Sequence, residues 1–358
     1  MAGTANPRQV VRELLERNKP SRPLFLPIVF SLGAQIENVP LRSYLANPTK
    51  IVSALRQIHA RMGADGVSCY FDPFLEAEAL GGTLEWETED GPPRLVWPGG
   101  VAESGLPRGI RSAEDAAKSG RVPVAAEVIC RMKEAVRGSA LLMVGLNGPM
   151  ALAGMLLGVN NAPEEEGRGK QRPYEEIAKA VEVAGAALTE IARTLLEAGA
   201  NVIVMRGTKA EASPVGEPAE GEQLLETILN LVRFYEGMLL FFPSRDSASR
   251  PAKRETPSAV VPNGLVPCTE LPRLYYTTGG IGFGENEIRW GLAFPPEFFA
   301  EEESEYAKIE QGLHLAAGMA RHPKAGPTVV TTSGDVPAAS DMKRLARIGK
   351  TLVDAGRQ

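Results

Sequence analysis

The chain has 358 residues, 39 Lys and Arg against 44 Asp and Glu, a formal net charge of -5 and a hydrophobic share of 44%. This ordinary globular composition carries no basic surplus for binding a run of phosphates, so no nucleic-acid partner is expected, while small acidic molecules stay open. No window approaches the ~20 apolar residues of a membrane span, and the three cysteines, Cys69, Cys130 and Cys268, do not form a disulfide framework. A reducing, cytoplasmic setting without membrane attachment is expected.

In chain order, MAGTANPRQVVRELLERNKP reads as an amphipathic helix, an N-terminal extension ahead of the first strand. Short apolar β-type runs then recur: Leu24–Phe30, Gly66–Phe71, Leu141–Leu146, Asn201–Met205, Met238–Phe242, Arg273–Thr277, Ile288–Ala293 and Thr328–Thr332. Most are followed by helical stretches. Asn47-Pro48 opens one helix, and Arg172-Pro173 precedes a long one that Gly199 closes. Strands apolar on both faces and separated by helices indicate a parallel sheet, and eight of them predict a (β/α)8 TIM barrel occupying residues 1–358 as one domain. Between the second and third strands, TLEWETEDGPPRLVWP alternates about an Asp90-Gly91 turn and reads as an inserted β-hairpin. The Pro- and Ser-rich segment Ser244–Pro272 reads as a surface loop or a cover over the site.

In such a barrel the reactive side chains stand at the C-terminal ends of the strands, which selects the candidates. Asp72 follows GVSCYF among Phe71, Pro73 and Phe74, surroundings that raise a carboxyl's pKa by desolvation and suit a general acid; its other reading is a helix cap. An Asp72→Asn variant is expected on this reading to keep the fold and to lose turnover. Glu78 points into the pocket or solvates a helix start, and Arg206 binds a substrate carboxylate or phenolate or pairs with a neighbouring acid. Asn147, Gln35, Ser244, Arg245, Tyr275, Tyr276, Ser333 and Asp335 complete the set as substrate-binding candidates. The glycine run TGGIGFG lacks the Lys-Ser/Thr of a phosphate loop and reads as a strand-end loop.

Four motifs occur in order along the chain: Cys69-Tyr70-Phe71-Asp72 running into Ala79-Leu80-Gly81, Gly145-Leu146-Asn147-Gly148-Pro149, Glu197-Ala198-Gly199-Ala200-Asn201, and Thr332-Ser333-Gly334-Asp335-Val336-Pro337. The ordered set resembles the uroporphyrinogen decarboxylase superfamily, which holds porphyrinogen decarboxylases and corrinoid-linked methyltransferases on a (β/α)8 fold. The decarboxylases' arginine-rich element after the first strand is replaced by Phe30-Ser31-Leu32-Gly33-Ala34-Gln35, their tyrosine falls at Met155, and their late histidine is absent from Ser333-Gly334-Asp335. The Glu76-Ala77-Glu78-Ala79-Leu80-Gly81 run and the Ser-Gly ending are more similar to the methyltransferase branch.

That branch often holds zinc with a His-x-Cys at a middle strand and a late cysteine. Those places carry Phe241-Phe242-Pro243-Ser244 and Gly334-Asp335 here, and the three histidines, His59, His314 and His322, lack metal-ligand spacing, so no zinc is expected. The resemblance implies a methyltransferase moving a methyl group from a small methoxylated donor to a corrinoid (cobalamin) on a partner protein, with homodimerisation as a family trait. Two readings stay beside it: a decarboxylase-like lyase acting on a smaller carboxylated substrate, and a non-catalytic barrel that binds a small molecule.

Overall fold

A computed structural model describes residues 6–16, 23–102, 105–158, 173–206, 219–242, 265–270, 291–294, 329–337, 343 and 346–347. The elements run α1 (Pro7–Leu15), β1 (Leu24–Leu26), α2 (Leu32–Ile36), α3 (Leu41–Leu45), α4 (Pro48–Met62), β2 (Gly66–Tyr70) and α5 (Leu75–Ala79). A hairpin, β3 (Thr83–Glu85) and β4 (Arg94–Val96), precedes α6 (Ala113–Ala116), α7 (Val122–Val136), β5 (Leu141–Asn147) and α8 (Pro149–Leu156). Then come α9 (Tyr174–Ala198), β6 (Val202–Arg206), α10 (Ala219–Phe234), β7 (Met238–Phe242), β8 (Leu265–Glu270), β9 (Gly291–Phe294) and β10 (Val329–Thr332).

Eight parallel strands form one sheet in the order β1-β10-β9-β8-β7-β6-β5-β2. Read as a ring, this is chain order with the hairpin left out, the arrangement of a (β/α)8 barrel. Strand β5 is buried at every residue, as a strand with covered faces must be. The helices present apolar stripes at three- and four-residue spacing; in α4 the buried set is Ile51, Ala54, Leu55, Ile58 and Met62. Asn47 caps that helix by accepting from the Lys50 N–H at 3.1 Å, and Gly199 ends α9 in the left-handed region at φ 119°.

The inserted hairpin forms as read, with Thr83 opposite Val96 and Glu85 opposite Arg94. Its turn is tied to α3, where Asp90 accepts from the Leu41 N–H at 2.9 Å, and its far end to α8, where Trp97 Nε1 donates to the Met155 carbonyl at 3.2 Å.

Two strand expectations need correction. The run Leu24–Phe30 pairs only over Leu24–Leu26, because Pro27 has no N–H to give the ladder. A strand also stands at Leu265–Glu270, inside the stretch read as loop, its ladder running through Pro267 and Cys268. The run Arg273–Thr277 lies outside the described residues.

Among the described residues no ladder joins β1 to β2, and side chains bridge that seam. The Phe25 N–H donates to Asp65 Oδ2 at 2.8 Å while the Asp65 N–H donates to the Phe25 carbonyl at 2.9 Å. Further along, Ser68 Oγ donates to the Pro27 carbonyl at 3.2 Å and accepts from the Val29 N–H at 3.4 Å. Asp65→Ala strands the Phe25 N–H in a buried strand, so unfolding titrations should show a loss of about 1–3 kcal/mol. The denaturant slope should stay unchanged, since the surface exposed on unfolding is the same; a variant within experimental error of wild type would remove Asp65 from the closure.

Candidate active site

The C-terminal ends of neighbouring strands converge at one end of the sheet. Asn147 closes β5 directly beside Arg206, which closes β6, and Phe242 of β7 follows in the same register. Asp72 stands two residues past β2, and Asp335 three residues past β10.

Asp72 is not a free acid. Its Oδ2 takes a 2.6 Å ion pair from Arg121 Nη1, and its Oδ1 accepts from the Phe74 N–H at 2.7 Å, a capping bond of the kind sequence allowed. Arg121, the residue before α7, also gives Nε to Glu78 Oε2 at 2.6 Å. Burial opposes the Arg121 charge, but Tyr70, Asp72 and Glu78 together hold its pKa above the ordinary value. The desolvated acid expected at Asp72 is therefore, in this structure, one arm of a buried Asp72–Arg121–Glu78 bridge. Glu78 belongs to that bridge from a partly exposed position at the helix.

The deepest carboxyl is Glu76, with no exposed surface. Its Oε1 accepts from the Asn147 N–H at 2.6 Å and its Oε2 from Asn147 Nδ2 at 2.8 Å, while the same Nδ2 reaches the Pro73 carbonyl at 2.7 Å. Burial pushes its pKa from 4.5 up to about 7, against the pull of the Asn147 donors and of Arg206. Asp335 is partly buried. Its two oxygens accept from the backbone N–H groups of Phe30 at 2.7 Å and Ser31 at 2.8 Å, and burial pushes its pKa from 3.8 up to about 6.

Arg206 lies among these acids, its guanidinium carbon 4.5 Å from the centre of the Phe71 ring. Its Nε and Nη2 are buried and have no hydrogen-bond partner. Burial lowers its pKa, with Glu76, Asp72 and Asp335 pulling the other way. The ring beneath it rests on Gly145, where an added Cβ would come within 2.2 Å of Phe71; that strand position must stay bare for the platform to exist.

The structure thus brings Asp72, Glu78, Asn147, Arg206 and Asp335 to one end of the sheet. Gln35 is exposed on α2, the helix that follows Ser31, and Ser333 is half-buried beside Asp335. Ser244, Arg245, Tyr275 and Tyr276 lie outside the described residues. Sequence reasoning missed Glu76 and Arg121. Glu76 had a legible signal: Ala79 and Leu80, at i+3 and i+4, put it on the buried stripe of α5 while Glu78 turns the other way. Arg121, at the start of a helix and not at a strand end, had none.

A family model described as uroporphyrinogen decarboxylase (URO-D) matches residues 6–214, more than half the sequence. The chain belongs to the uroporphyrinogen decarboxylase family. No curated relative matches it. Among solved structures it is similar to a methyltransferase from Methanosarcina mazei, at 15% identity over 99% of both chains with a TM-score of 0.68. It is also similar to a putative vitamin-B12 independent methionine synthase from Listeria monocytogenes, at 12% identity over 94% of this chain and 98% of that one, with a TM-score of 0.44. The first likeness, at such identity, is one of fold, and it extends across the length of the chain.

The zinc ligands of the family's methyltransferase branch do not fit here. Strand β7 ends on Phe241-Phe242, and Asp335, at the late position, turns its oxygens to the Phe30 and Ser31 N–H groups. Among the described residues no three His, Cys, Asp or Glu side chains are grouped to hold a metal, and no helix is long and apolar enough to cross a membrane.

Two outcomes follow. Asp72→Asn keeps the Phe74 bond but removes one carboxylate from the buried Arg121, so the fold should weaken by roughly 3 kcal/mol, not survive untouched; an unchanged melting curve would dissolve the bridge argument. For Glu76, the folded pKa of about 7 exceeds the ordinary 4.5, so between those values the native chain binds protons that the unfolded chain has released. This group's contribution to stability therefore falls as pH rises from about 4.5 to about 7. Melts from pH 5 to pH 8, at fixed ionic strength, should show a shallower decline for Glu76→Gln than for wild type.

Proposed function

We propose that the protein transfers a methyl group from the oxygen of a small methoxylated donor to a reduced corrinoid carried by a separate protein, in the cytoplasm. The corrinoid is in this reading a co-substrate that meets the donor at the strand ends. The methyl carbon leaves the donor oxygen for the nucleophilic cobalt(I) centre; the oxygen keeps the electron pair of the broken bond and takes up a proton. An alkoxide or phenolate is a poor group to expel, so an acid at that oxygen lowers the barrier, by about 10²- to 10⁴-fold for a well-placed one.

The observation that carries the reading is the placement of Asp335. It is a carboxyl at the strand ends, in a partly buried residue, held by the Phe30 and Ser31 N–H groups and with a pKa pushed by burial up to about 6, within reach of neutrality. Glu76, although raised further, is sealed beneath Asn147. The acid role passes from Asp72, committed to Arg121, to Asp335, and the Asp72–Arg121–Glu78 bridge positions the loop after β2. Family membership is common to both readings; the absence after β1 of the arginines that the decarboxylases carry supports methyl transfer over porphyrinogen decarboxylation.

The test mixes the purified chain with chemically reduced cobalamin and either ortho-methoxyphenol or para-methoxybenzoate, and follows methylcobalamin by its absorption. Wild type should methylate the corrinoid, and Asp335→Asn should lower kcat by roughly two to four powers of ten; because an Asn offers one acceptor to the two N–H groups that Asp335 holds, a stability loss of about 1–3 kcal/mol should accompany it, and activity is compared at a temperature where both proteins are folded. Carbon dioxide release from a carboxylated donor, with no dependence on cobalamin, would give the lyase reading precedence.

A further inference from the structure

Three acids, Asp72, Glu76 and Asp335, act electrostatically on Arg206, and each of their six carboxylate oxygens is already bonded to a donor other than Arg206. Asp72 gives Oδ1 to the Phe74 N–H and Oδ2 to Arg121; Glu76 gives both oxygens to Asn147; Asp335 gives one each to the Phe30 and Ser31 N–H groups. The cation on which these acids act is left without their oxygens. Its Nε and Nη2 are both buried and both without a partner. Those two atoms are not an arbitrary pair: they form the lateral edge of a guanidinium, whose two N–H bonds run parallel and match the spacing of the two oxygens of one carboxylate. The Phe71 ring, seated on Gly145, fixes the plane in which that edge is offered.

We propose that the Nε–Nη2 edge of Arg206 is the receptor for a carboxylate carried by the substrate, bound in a two-pronged, coplanar pair. A buried cation with two unmet donors is costly to keep, and a guest that supplies both acceptors offsets that cost. A carboxylate fits better than a phosphate, because a dianion would stand among Asp72, Glu76 and Asp335 and a monoanion meets less repulsion. The receptor deepens the methyl-transfer reading, since it places a carboxylated methoxy compound at the mouth, but the binding step is separable from the chemistry.

The experiment is equilibrium binding to the full chain without any corrinoid, using acetate, benzoate and para-methoxybenzoate, each against its neutral amide, with phenyl phosphate as a further arm. At least one carboxylate should bind wild type on the order of ten-fold more tightly than its amide, as hydrogen bonds to charged groups contribute. Arg206→Lys keeps the charge but loses the fork, and should retain only a few-fold preference; Arg206→Met should retain none. Arg206→Met also removes the attraction that Glu76, Asp72 and Asp335 have for the cation, so binding is measured at a temperature where a melting curve shows the variant folded, and Arg206→Lys carries the comparison where it is not. The proposal is overturned by equal binding of every carboxylate and its amide, by undiminished preference in folded Arg206→Met or in Arg206→Lys, or by phenyl phosphate binding better than every carboxylate. A chain that binds carboxylates through Arg206 yet methylates no corrinoid would refute the methyl-transfer reading alone. Equal turnover of carboxylated and uncarboxylated donors would refute the receptor alone.

Discussion

The segment from Pro27 to Ser31 must satisfy its backbone without a strand partner on either side, and the site depends on how it does so. Pro27 ends the ladder at a buried edge of the sheet, where unmet polar groups are expensive. Side chains of β2 and β10 take over: Thr331 Oγ1 donates to the Leu26 carbonyl at 2.6 Å, Ser68 to that of Pro27, and Thr332 Oγ1 accepts from the Ile28 N–H at 3.0 Å. Ser68 then accepts from Val29, and Asp335 from Phe30 and Ser31. One set of bonds thus closes the barrel between β1 and β2 and fixes the carboxyl to which the proton transfer is assigned. A hydroxyl or carboxylate that substitutes for a ladder is tied to the sheet's geometry as tightly as the ladder would be.

The same logic governs the charges. Arg121 couples the loop after β2 to α7 through two carboxylates, and Asn147 couples α5 to β5 through a third. Each pairing satisfies acids that burial would otherwise neutralise or expel. Arg206 differs: it lies over a ring, and two of its guanidinium donors, Nε and Nη2, are buried without a hydrogen-bond partner. Local rules broken without a structural gain concentrate at functional sites, and this is the described position where the imbalance is clearest.

Much of the barrel was legible from hydrophobic periodicity. The strands at Gly66, Leu141, Val202, Met238 and Val329, the hairpin about Asp90-Gly91, the Asn47 cap and the Gly199 stop all follow from local patterns, because parallel strands are apolar on both faces and helix ends need particular side chains. Strand β8 was not legible: LVPCTE carries a proline and ends on polar residues, which by period and composition reads as loop. The site was legible by position and not by pairing. Strand ends located Asp72, Asn147, Arg206 and Asp335, but nothing in the sequence announces that Arg121, 49 residues from Asp72, arrives to occupy it. Partner choice among charges is a tertiary fact, and it is what ties Asp72 to Arg121.

Family membership then constrains less than the local geometry does. The URO-D fold places side chains at the strand ends whatever the chemistry, and in this chain the decarboxylase arginines after β1 have given way to Phe30–Gln35, whose backbone now binds Asp335. On β6, strand register sets Arg206 beside Asn147, and Gly145 leaves room for the ring under it. In the proposed reading a single fork at Arg206 in place of an arginine cluster would suit a ligand with one carboxylate instead of many, with Asp335 as the acid that completes the pair.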